Sequence, residues 1–482
     1  MLRKIRLGVA AALFVCENLF FISVGIGLGV FEKVQLVPAL LAVNVAAIVS
    51  IAAVTLLFGR VYCSTLCPLG VFQDLVIGAV RIFAKKRFAY ASAHTVLRYA
   101  ILALVGVAFA FGFAAVPALI DPYSLYGRIA THLLQPAAYA VNNVAAWIAD
   151  RSGHPLIFKQ EIFIRSTLAF SVATASLAAI GFLAAVWGRL YCNTVCPVGS
   201  LLAVLSHRPL FRIAIDRERC VGCGLCAKVC KSVCIDVNAH TVDNSRCVDC
   251  FDCLESCHNG AIRYTAGAIG KPKCLSTSSY TKEPEYRGRC FFLMGMAYFA
   301  ATTAVAIVRK HIWPVPVLVP ENPPISPPGS GGSGNLLMQC TACHLCVAKC
   351  EGRVLRPALL EYGLGGVMLP RLDYSRGFCG WDCNACGEVC PNGAIHPLTL
   401  EEKRKIRIGR AVYNRVQCVL VADKVSACGN CAEHCPTKAL VLVEEKDKKK
   451  YPHINENLCI GCGACEFHCP VKPLAIHVIG IK

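Results

Sequence analysis

Long apolar stretches separated by short basic turns fill the first two hundred residues, and cysteine-punctuated polar sequence follows. Five stretches reach or approach the roughly 20 residues that cross a hydrocarbon core: Leu7–Phe31, Val34–Phe58, Tyr99–Ile120, Ser166–Trp187 and, shortest, Phe291–Val308. The first is too long for a cleaved signal peptide, and no small-residue cleavage site closes it. Basic residues give the direction. Arg3, Lys4 and Arg6 precede the first stretch, and the loop after the second carries Arg60, Arg81, Lys85, Lys86, Arg87 and Arg98 against the single acid Asp74. The turn between the first two holds only Glu32 and Lys33. By the positive-inside rule the N-terminus and the loop 59–98 are cytoplasmic, 121–165 is outside, 188–290 is inside again, and the fifth crossing exports the rest. Arg309 and Lys310 beyond that crossing nearly balance Lys282, Arg287 and Arg289 before it. Trp313 to Gly334 contains PENPPISPPGSGGSG, which predicts an extended, then flexible tether.

Composition agrees with a membrane chain. Of the 482 residues 55% are hydrophobic and only 16% charged, and the mean hydropathy is +0.53. The formal charge of +19 invites a nucleic-acid partner, which the cysteines exclude, because that count treats them as neutral. A cubane held by four thiolates carries roughly −2, so six would cancel about twelve of those charges. Much of the remaining excess flanks the apolar stretches, where it sets topology.

Twenty-four of the 32 cysteines form six runs of four. Two precede the fifth stretch: Cys220, Cys223, Cys226, Cys230 and Cys247, Cys250, Cys253, Cys257. Four follow it: Cys340, Cys343, Cys346, Cys350; Cys379, Cys383, Cys386, Cys390; Cys418, Cys428, Cys431, Cys435; and Cys459, Cys462, Cys465, Cys469. Three thiolates this close hold three corners of a cubane, and the fourth cysteine reaches the other cluster of a two-cluster fold. Structural zinc takes two separated pairs, and neighbouring cysteines on one turn make strained disulfides. About six 4Fe-4S clusters are therefore expected. In the first module Cys220, Cys223 and Cys226 should share a cluster with Cys257, and Cys247, Cys250 and Cys253 with Cys230, which Cys234 could replace. In the last four runs spacing leaves open whether adjacent runs pair or the outermost pair around the inner two. Proline follows Cys390, Cys435 and Cys469 as in bacterial ferredoxins, and Cys234, Cys274 and Cys290 have no quartet.

An internal repeat adds four more thiols. Gly59–Gly70 reads GRVYCSTLCPLG and Gly188–Gly199 reads GRLYCNTVCPVG, identical at eight of twelve positions. Each copy follows an apolar stretch at its cytoplasmic end, so two duplicated hairpins gather Cys63, Cys67, Cys192 and Cys196 at one membrane face. Those thiols could hold a metal or cluster, form redox-active pairs, or simply mark turns where each proline stops a helix.

The expected fold is a membrane α-helical bundle of about five transmembrane helices with two α+β ferredoxin-like polycluster modules. Its parts are a four-helix membrane domain (1–206), a cytoplasmic dicluster module (207–286), the fifth helix (287–309), a Pro/Gly-rich linker (310–335) and an extracytoplasmic four-cluster domain (336–482).

The GR-x-Y-C-x3-C-P motifs, the four stretches and the dicluster segment, over roughly residues 1–265, resemble the membrane polyferredoxins of the NapH type, with NosR-like and CcoG-like relatives. The remainder resembles the exported four-cluster ferredoxins of the NapG type: YRGRCFFLMG at Tyr286–Gly295, ISPPGS at Ile325–Ser330, then four cysteine runs. The arginines are split as Arg287-Gly-Arg289, a departure from a twin-arginine signal. The resemblance implies a NapH–NapG fusion in a bacterial cytoplasmic membrane. Such a fusion would take electrons from the membrane quinone pool, as quinol, and deliver them to an extracytoplasmic redox protein or reductase. The NosR-like and CcoG-like relatives imply a different role, supplying electrons for assembly or maintenance of a reductase's metal centre.

Polar groups inside the stretches complete the reading. Glu17 and Asn18 lie mid-way along the first, beside Cys16, and Asn44 lies inside the second. A carboxyl group at such depth marks function by default, so Glu17 is the candidate quinol proton acceptor. The structural reading is a glutamic acid hydrogen-bonded to Asn44. His132, Tyr123 and Arg128 are weaker quinol-site candidates. No histidine pair offers a haem site, no glycine-rich nucleotide fingerprint appears, and Lys446–Lys450 reads as a solvated loop.

Overall fold

The computed structural model describes residues 1–22, 29–84, 88–110, 115–152, 157–266, 323–421, 427–445 and 450–481, with isolated positions 297, 301 and 304. The bulk of the fifth stretch, Arg287, Arg289, the first part of the tether, Cys274, Cys290 and most of Lys446–Lys450 lie outside the described residues.

The apolar stretches fold differently from five simple crossings. Among the described helices only Thr167–Trp187, 21 residues with a mean hydropathy of 2.0, is long and apolar enough to cross a membrane alone. The five-span bundle is therefore not supported, and the described residues show why. The second stretch breaks at Val43, which is left-handed at φ 57°. Asn44 then caps the next helix, accepting from the Ala47 amide at 3.2 Å, as a short polar side chain does at a helix start. Helices Leu36–Ala42 and Val45–Phe58 fold back on each other, so that Tyr62 beyond the second donates to Gln35 before the first, Oη to Oε1 2.7 Å. In the third stretch the described helices are Thr95–Ala110 and Ala115–Ile120. The N-terminal helix Leu2–Phe21 runs 20 residues but includes Arg3, Lys4, Arg6 and Glu17.

Two cysteine-rich α+β modules flank this bundle. In the first, strands Phe211–Ile215 and Ile262–Ala266 pair antiparallel with Ile213 opposite Tyr264, and a short helix follows each cysteine loop, Leu225–Val229 and Asp252–Ser256. In the second, three antiparallel pairs brace the loops: Leu355–Pro357 with Pro370–Leu372, Gly409–Tyr413 with Ile476–Gly480, and Leu440–Glu444 with Lys450–Ile454. Buried apolar side chains and cysteines from the third to the sixth run share one core there, with Leu336, Val347, Leu369 and Ile395 at its centre.

Two helices touch both modules at opposite ends. Arg3 Nε lies 2.9 Å from Asp252 of the first module, while Lys349 of the second stands 4.8 Å over the Phe20 ring. At 1.5 Å per residue that separation along the helix is about 25 Å. Likewise Arg165, before Thr167–Trp187, donates to Ala348 O at 3.0 Å. Beyond the same helix, the Arg189 amide donates to Lys231 O at 2.9 Å. The bundle therefore holds the modules at opposite ends, about 25–30 Å apart.

Candidate iron–sulfur and thiol sites

The four regular cysteine loops share one backbone device. Left-handed φ values recur just before and just after the second cysteine: Gly222 and Gly224, Asp249 and Phe251, Ala342 and His344, Gly461 and Gly463. Successive residues of alternating hand curl the chain into a concavity whose amides face inward, the nest that holds iron–sulfur groups. Left-handed backbone is uncommon for non-glycine residues such as Phe251 and Ala342, so the loop is shaped for an occupant. All described cysteines are free. Burial raises several of the buried thiols, Cys250 and Cys343 to about 12 and Cys379 to about 11, so their deprotonation at neutral pH needs a bound cation. The donor set and the cradle fit cubanes.

Side-chain proximity settles the pairing that spacing left open. Cys340, Cys343 and Cys346 gather with Cys390, and Cys379, Cys383 and Cys386 with Cys350. Cys418, Cys428 and Cys431 gather with Cys469, and Cys459, Cys462 and Cys465 with Cys435. Adjacent runs therefore pair. The two pairs join where the Cys379 amide donates to Cys462 O at 2.9 Å. The looser fourth and fifth runs complete quartets as well as the regular ones do.

In the first module Cys247, Cys250 and Cys253 surround Cys230, and Cys226 of the neighbouring quartet adjoins Cys253. Cys234 Sγ lies 3.5 Å from Cys230 Sγ and also reaches Cys247, so either Cys230 or Cys234 is placed to be the fourth donor. Cys223 is exposed, with Cys220, Cys226 and Cys257 half-buried.

The duplicated motif forms a centre of approximate two-fold symmetry. Cys63, Cys67, Cys192 and Cys196 are all buried neighbours of one another. Arg60 Nη2 crosses to Cys192 O at 3.0 Å and Arg189 Nη1 crosses back to Cys63 O at 2.8 Å. Cys67 and Cys196 each cap the helix that their proline begins, Pro68–Phe83 and Pro197–Leu205. The close crossing requires glycine: a Cβ on Gly70 would stand 2.1 Å from Cys63 O, and one on Gly199 2.1 Å from Cys192 O. Gln73 Nε2 donates to Cys192 Sγ at 3.3 Å. Arg189 is paired with Asp74 at 2.7 Å. Arg60 is fully buried, yet its partners are Asn193 Oδ1, Ser245 O, Cys192 O and, at 3.8 Å, Cys63 Sγ. Among the described residues it has no carboxylate within ion-pair distance. The buried Asp249 carboxyl accepts from the Arg60 main-chain amide and lies within electrostatic reach of its guanidinium, and a buried cation of this kind also faces the sulfurs of Cys63, Cys192 and Cys196.

Asp74 ties this centre to the first module. Arg6 and Lys231 reach it at 2.8 and 3.4 Å, and Lys231 also reaches Asp252 at 3.2 Å. Burial opposes its ionisation, but Arg189, Lys231 and Arg6 hold the carboxyl well below the usual range.

The remaining sequence candidates meet the second module. Tyr123, Arg128 and His132 are buried, not surface anchors. Arg128 donates to Ala342 O at 3.4 Å and to Ala118 O at 2.9 Å. His132 Nε2 stands 2.8 Å from His344 Nδ1, and His344 Nε2 stands 2.8 Å from Met368 O. That carbonyl only accepts, so His344 carries its proton on Nε2 and accepts from His132. Glu17 is buried beside Glu32 and Tyr123, and Tyr123 Oη donates to Glu32 Oε2. The expected Glu17–Asn44 bond does not form, because Asn44 caps its own helix. Arg60, Arg189, Gln73 and Asp121 escaped the sequence reading. The Gly-Arg opening shared by both repeat copies was the signal for the two arginines.

Residues 40–87 and 168–217, which contain the two repeat copies, match a family described as a 4Fe-4S binding domain. Residues 211–232 match another 4Fe-4S binding domain family, and residues 424–472 match a 4Fe-4S dicluster domain. The chain is similar to the ferredoxin-type protein NapF of Escherichia coli (strain K12), 29% identical over 140 residues, which are 28% of this chain and 74% of that protein. It is also similar to the putative electron transport protein YccM of the same strain, 27% identical over 200 residues, 40% of this chain and 48% of that protein. A third relative is the methylamine utilization ferredoxin-type protein MauN of Methylobacillus flagellatus, 25% identical over 173 residues, 36% of this chain and 48% of that protein. No solved structure matches. With these matches and its repeated cysteine cradles, the chain is an iron–sulfur electron-transfer protein that carries several ferredoxin-type 4Fe-4S clusters.

Proposed function

We propose that this chain is a membrane-bound conduit that oxidises quinol and passes electrons to an extracytoplasmic redox partner, in the manner of a fused NapH-type and NapG-type pair. The observation that carries this reading is the order of sulfurs along the bundle. One continuous buried core contains Cys250 of the first module, then Cys63, Cys67, Cys192 and Cys196, then Cys343 of the second. The bundle between the modules exposes large apolar side chains on several helices, among them Val9, Val15, Val49, Leu104, Val144 and Phe182. An apolar surface of that extent calls for a lipid or protein cover, and a module separation of about 25–30 Å fits a hydrocarbon core.

Bound cubanes supply one-electron carriage. A hydroquinone loses two electrons and two protons: the electrons leave singly to the iron–sulfur groups held by the quartets, and the protons go to carboxylates. Glu17, with Glu32 beside it, is placed to hold a proton near the Cys343 loop. The buried four-thiol centre with Arg60 and Arg189 is the relay between the two modules. Purified protein in liposomes, given menadiol, tests the reading. The clusters should be reduced, a reporter fused after Lys482 should be active only where it works outside the cytoplasm, and Glu17→Gln should slow reduction without loss of iron. A cytoplasmic reporter would remove delivery to an outside partner. A complete lack of quinol reactivity would favour the metal-centre assembly role.

A further inference from the structure

The quinol reading leaves open where the headgroup binds. A cleft enters the bundle between the folded-back second stretch, the helix Thr95–Ala110 and the helix that Cys196 caps. Its walls include Leu36, Leu40, Leu102, Phe109, Val198 and Leu201. Among the described residues lining it, the only polar side chain is Asp121. Asp121 is 1% exposed. Its Oδ2 accepts from the Ser124 amide at 2.8 Å and the Ser124 hydroxyl at 2.7 Å and the Tyr123 amide also approaches the carboxyl, while Oδ1 is buried with no partner of hydrogen-bond geometry. An unsatisfied buried acceptor costs free energy unless something donates to it. Water is a poor candidate, since it needs two to four polar partners and the walls are apolar. A hydroxyl on an apolar ring satisfies both the acceptor and the walls.

Position narrows the occupant further. Pro197 and Val198, directly after Cys196, line the cleft, and Tyr191 donates to Ile120 O beside Asp121 at 2.6 Å. A ring held there abuts the four-thiol centre. The enclosed part is about 80 Å³, well short of the roughly 300–1,000 Å³ that swallows a drug-sized ligand. It admits a ring and leaves a long tail outside. The cleft helix exposes Leu97, Leu104 and Val107, an apolar surface on which an isoprenoid tail would lie.

We infer that this cleft binds the headgroup of an isoprenoid quinol, with Asp121 Oδ1 accepting a hydrogen bond from a ring hydroxyl. The inference rests on the quinol reading above and moves the first contact away from Glu17, which lines no part of the cleft. Asp121 is a binding residue here, and the carboxylate–hydroxyl bond is of the charge-assisted, stronger kind.

The test uses the full-length protein with its clusters, in detergent, and heptyl-hydroxyquinoline N-oxide as a fluorescent quinol analogue. Wild type should quench its fluorescence saturably. Val105→Trp, which fills the cleft from a half-exposed wall position, should weaken binding at least tenfold. Asp121→Asn should weaken it roughly fivefold to twentyfold. Iron content and melting temperature verify that each variant is folded. If Val105→Trp, folded and iron-loaded, binds the analogue as wild type does, the cleft is not the site, although menadiol reduction of the clusters would still uphold the quinol reading. If wild type neither binds the analogue nor accepts electrons from menadiol, both the site and the quinol reading fall.

Discussion

Removing the charge of Arg60 probes the four-thiol relay directly. Its guanidinium lies 3.8 Å from Cys63 Sγ, and no carboxylate among the described residues pairs with it directly, Asp249 bonding its main-chain amide instead. Arg189, by contrast, is also bound to Asp74. At an effective dielectric of 20, unit charges 4 Å apart interact by about 4 kcal/mol. An electron entering an iron–sulfur core sits somewhat farther off. At about 7 Å the same relation gives ~2 kcal/mol, which for one electron is on the order of 100 mV. A positive charge favours the reduced state, so Arg60→Gln should lower the potential of one centre by about that much and leave the ferredoxin-type signals in place. Arg60→Lys, which keeps the charge, should restore most of it. The assay is a potentiometric titration followed by electron paramagnetic resonance, with iron counted on each sample. If iron is retained and no signal shifts downward by more than about 20 mV, the four thiols hold no redox centre.

Anaerobically purified protein should carry about 24 irons in its six quartets, by colorimetric iron and sulfide analysis; stoichiometric zinc with fewer than about eight irons would contradict the cluster assignment. Asp74→Asn opens a buried network of Arg6, Arg189 and Lys231 and should destabilise the protein by about 3–5 kcal/mol, read by thermal unfolding. Because the folded Asp74 carboxyl is held below the usual range, its contribution is complete above about pH 4 and is lost as pH falls through the folded value. The gap in melting temperature between wild type and Asp74→Asn should therefore be constant from about pH 5 to 8 and shrink only toward pH 3. A Cβ on Gly127 would stand 2.4 Å from Cys343 O, so Gly127→Val must push the second module away at a cost of about 1–3 kcal/mol. In rapid-mixing optical experiments electrons should then pass between the modules more slowly, with the iron count unchanged.

Local chemistry was the legible part of this chain. The four regular cysteine cradles follow from spacing alone, since three donors of each lie within seven residues, and the repeat announced that its four thiols would meet. Tertiary choices were not legible. Mean hydropathy hid the reversal at Val43 and Asn44, because one capping asparagine barely changes the average of a 25-residue apolar stretch yet ends a helix. The same asparagine was expected to bond Glu17 across the bundle, but its own backbone three residues on was nearer. Arg60 counted as a topology-setting surface charge, and it is fully buried against the thiols. The pairing of the last four runs depends on contacts such as Cys379 with Cys462, which spacing does not encode.

The cysteine cradles extend from the exposed Cys223 loop to the half-buried Cys428 and Cys431 loop. On the conduit reading proposed above, such a row acts as a series circuit. Its throughput is that of its slowest junction, and losing any one carrier stops current as completely as losing all of them. Oxidants reach exposed thiolates first, so damage should begin at the two terminals while the inner carriers survive. A population of partly oxidised molecules would then contain fully conducting and fully silent chains, with almost none at half rate.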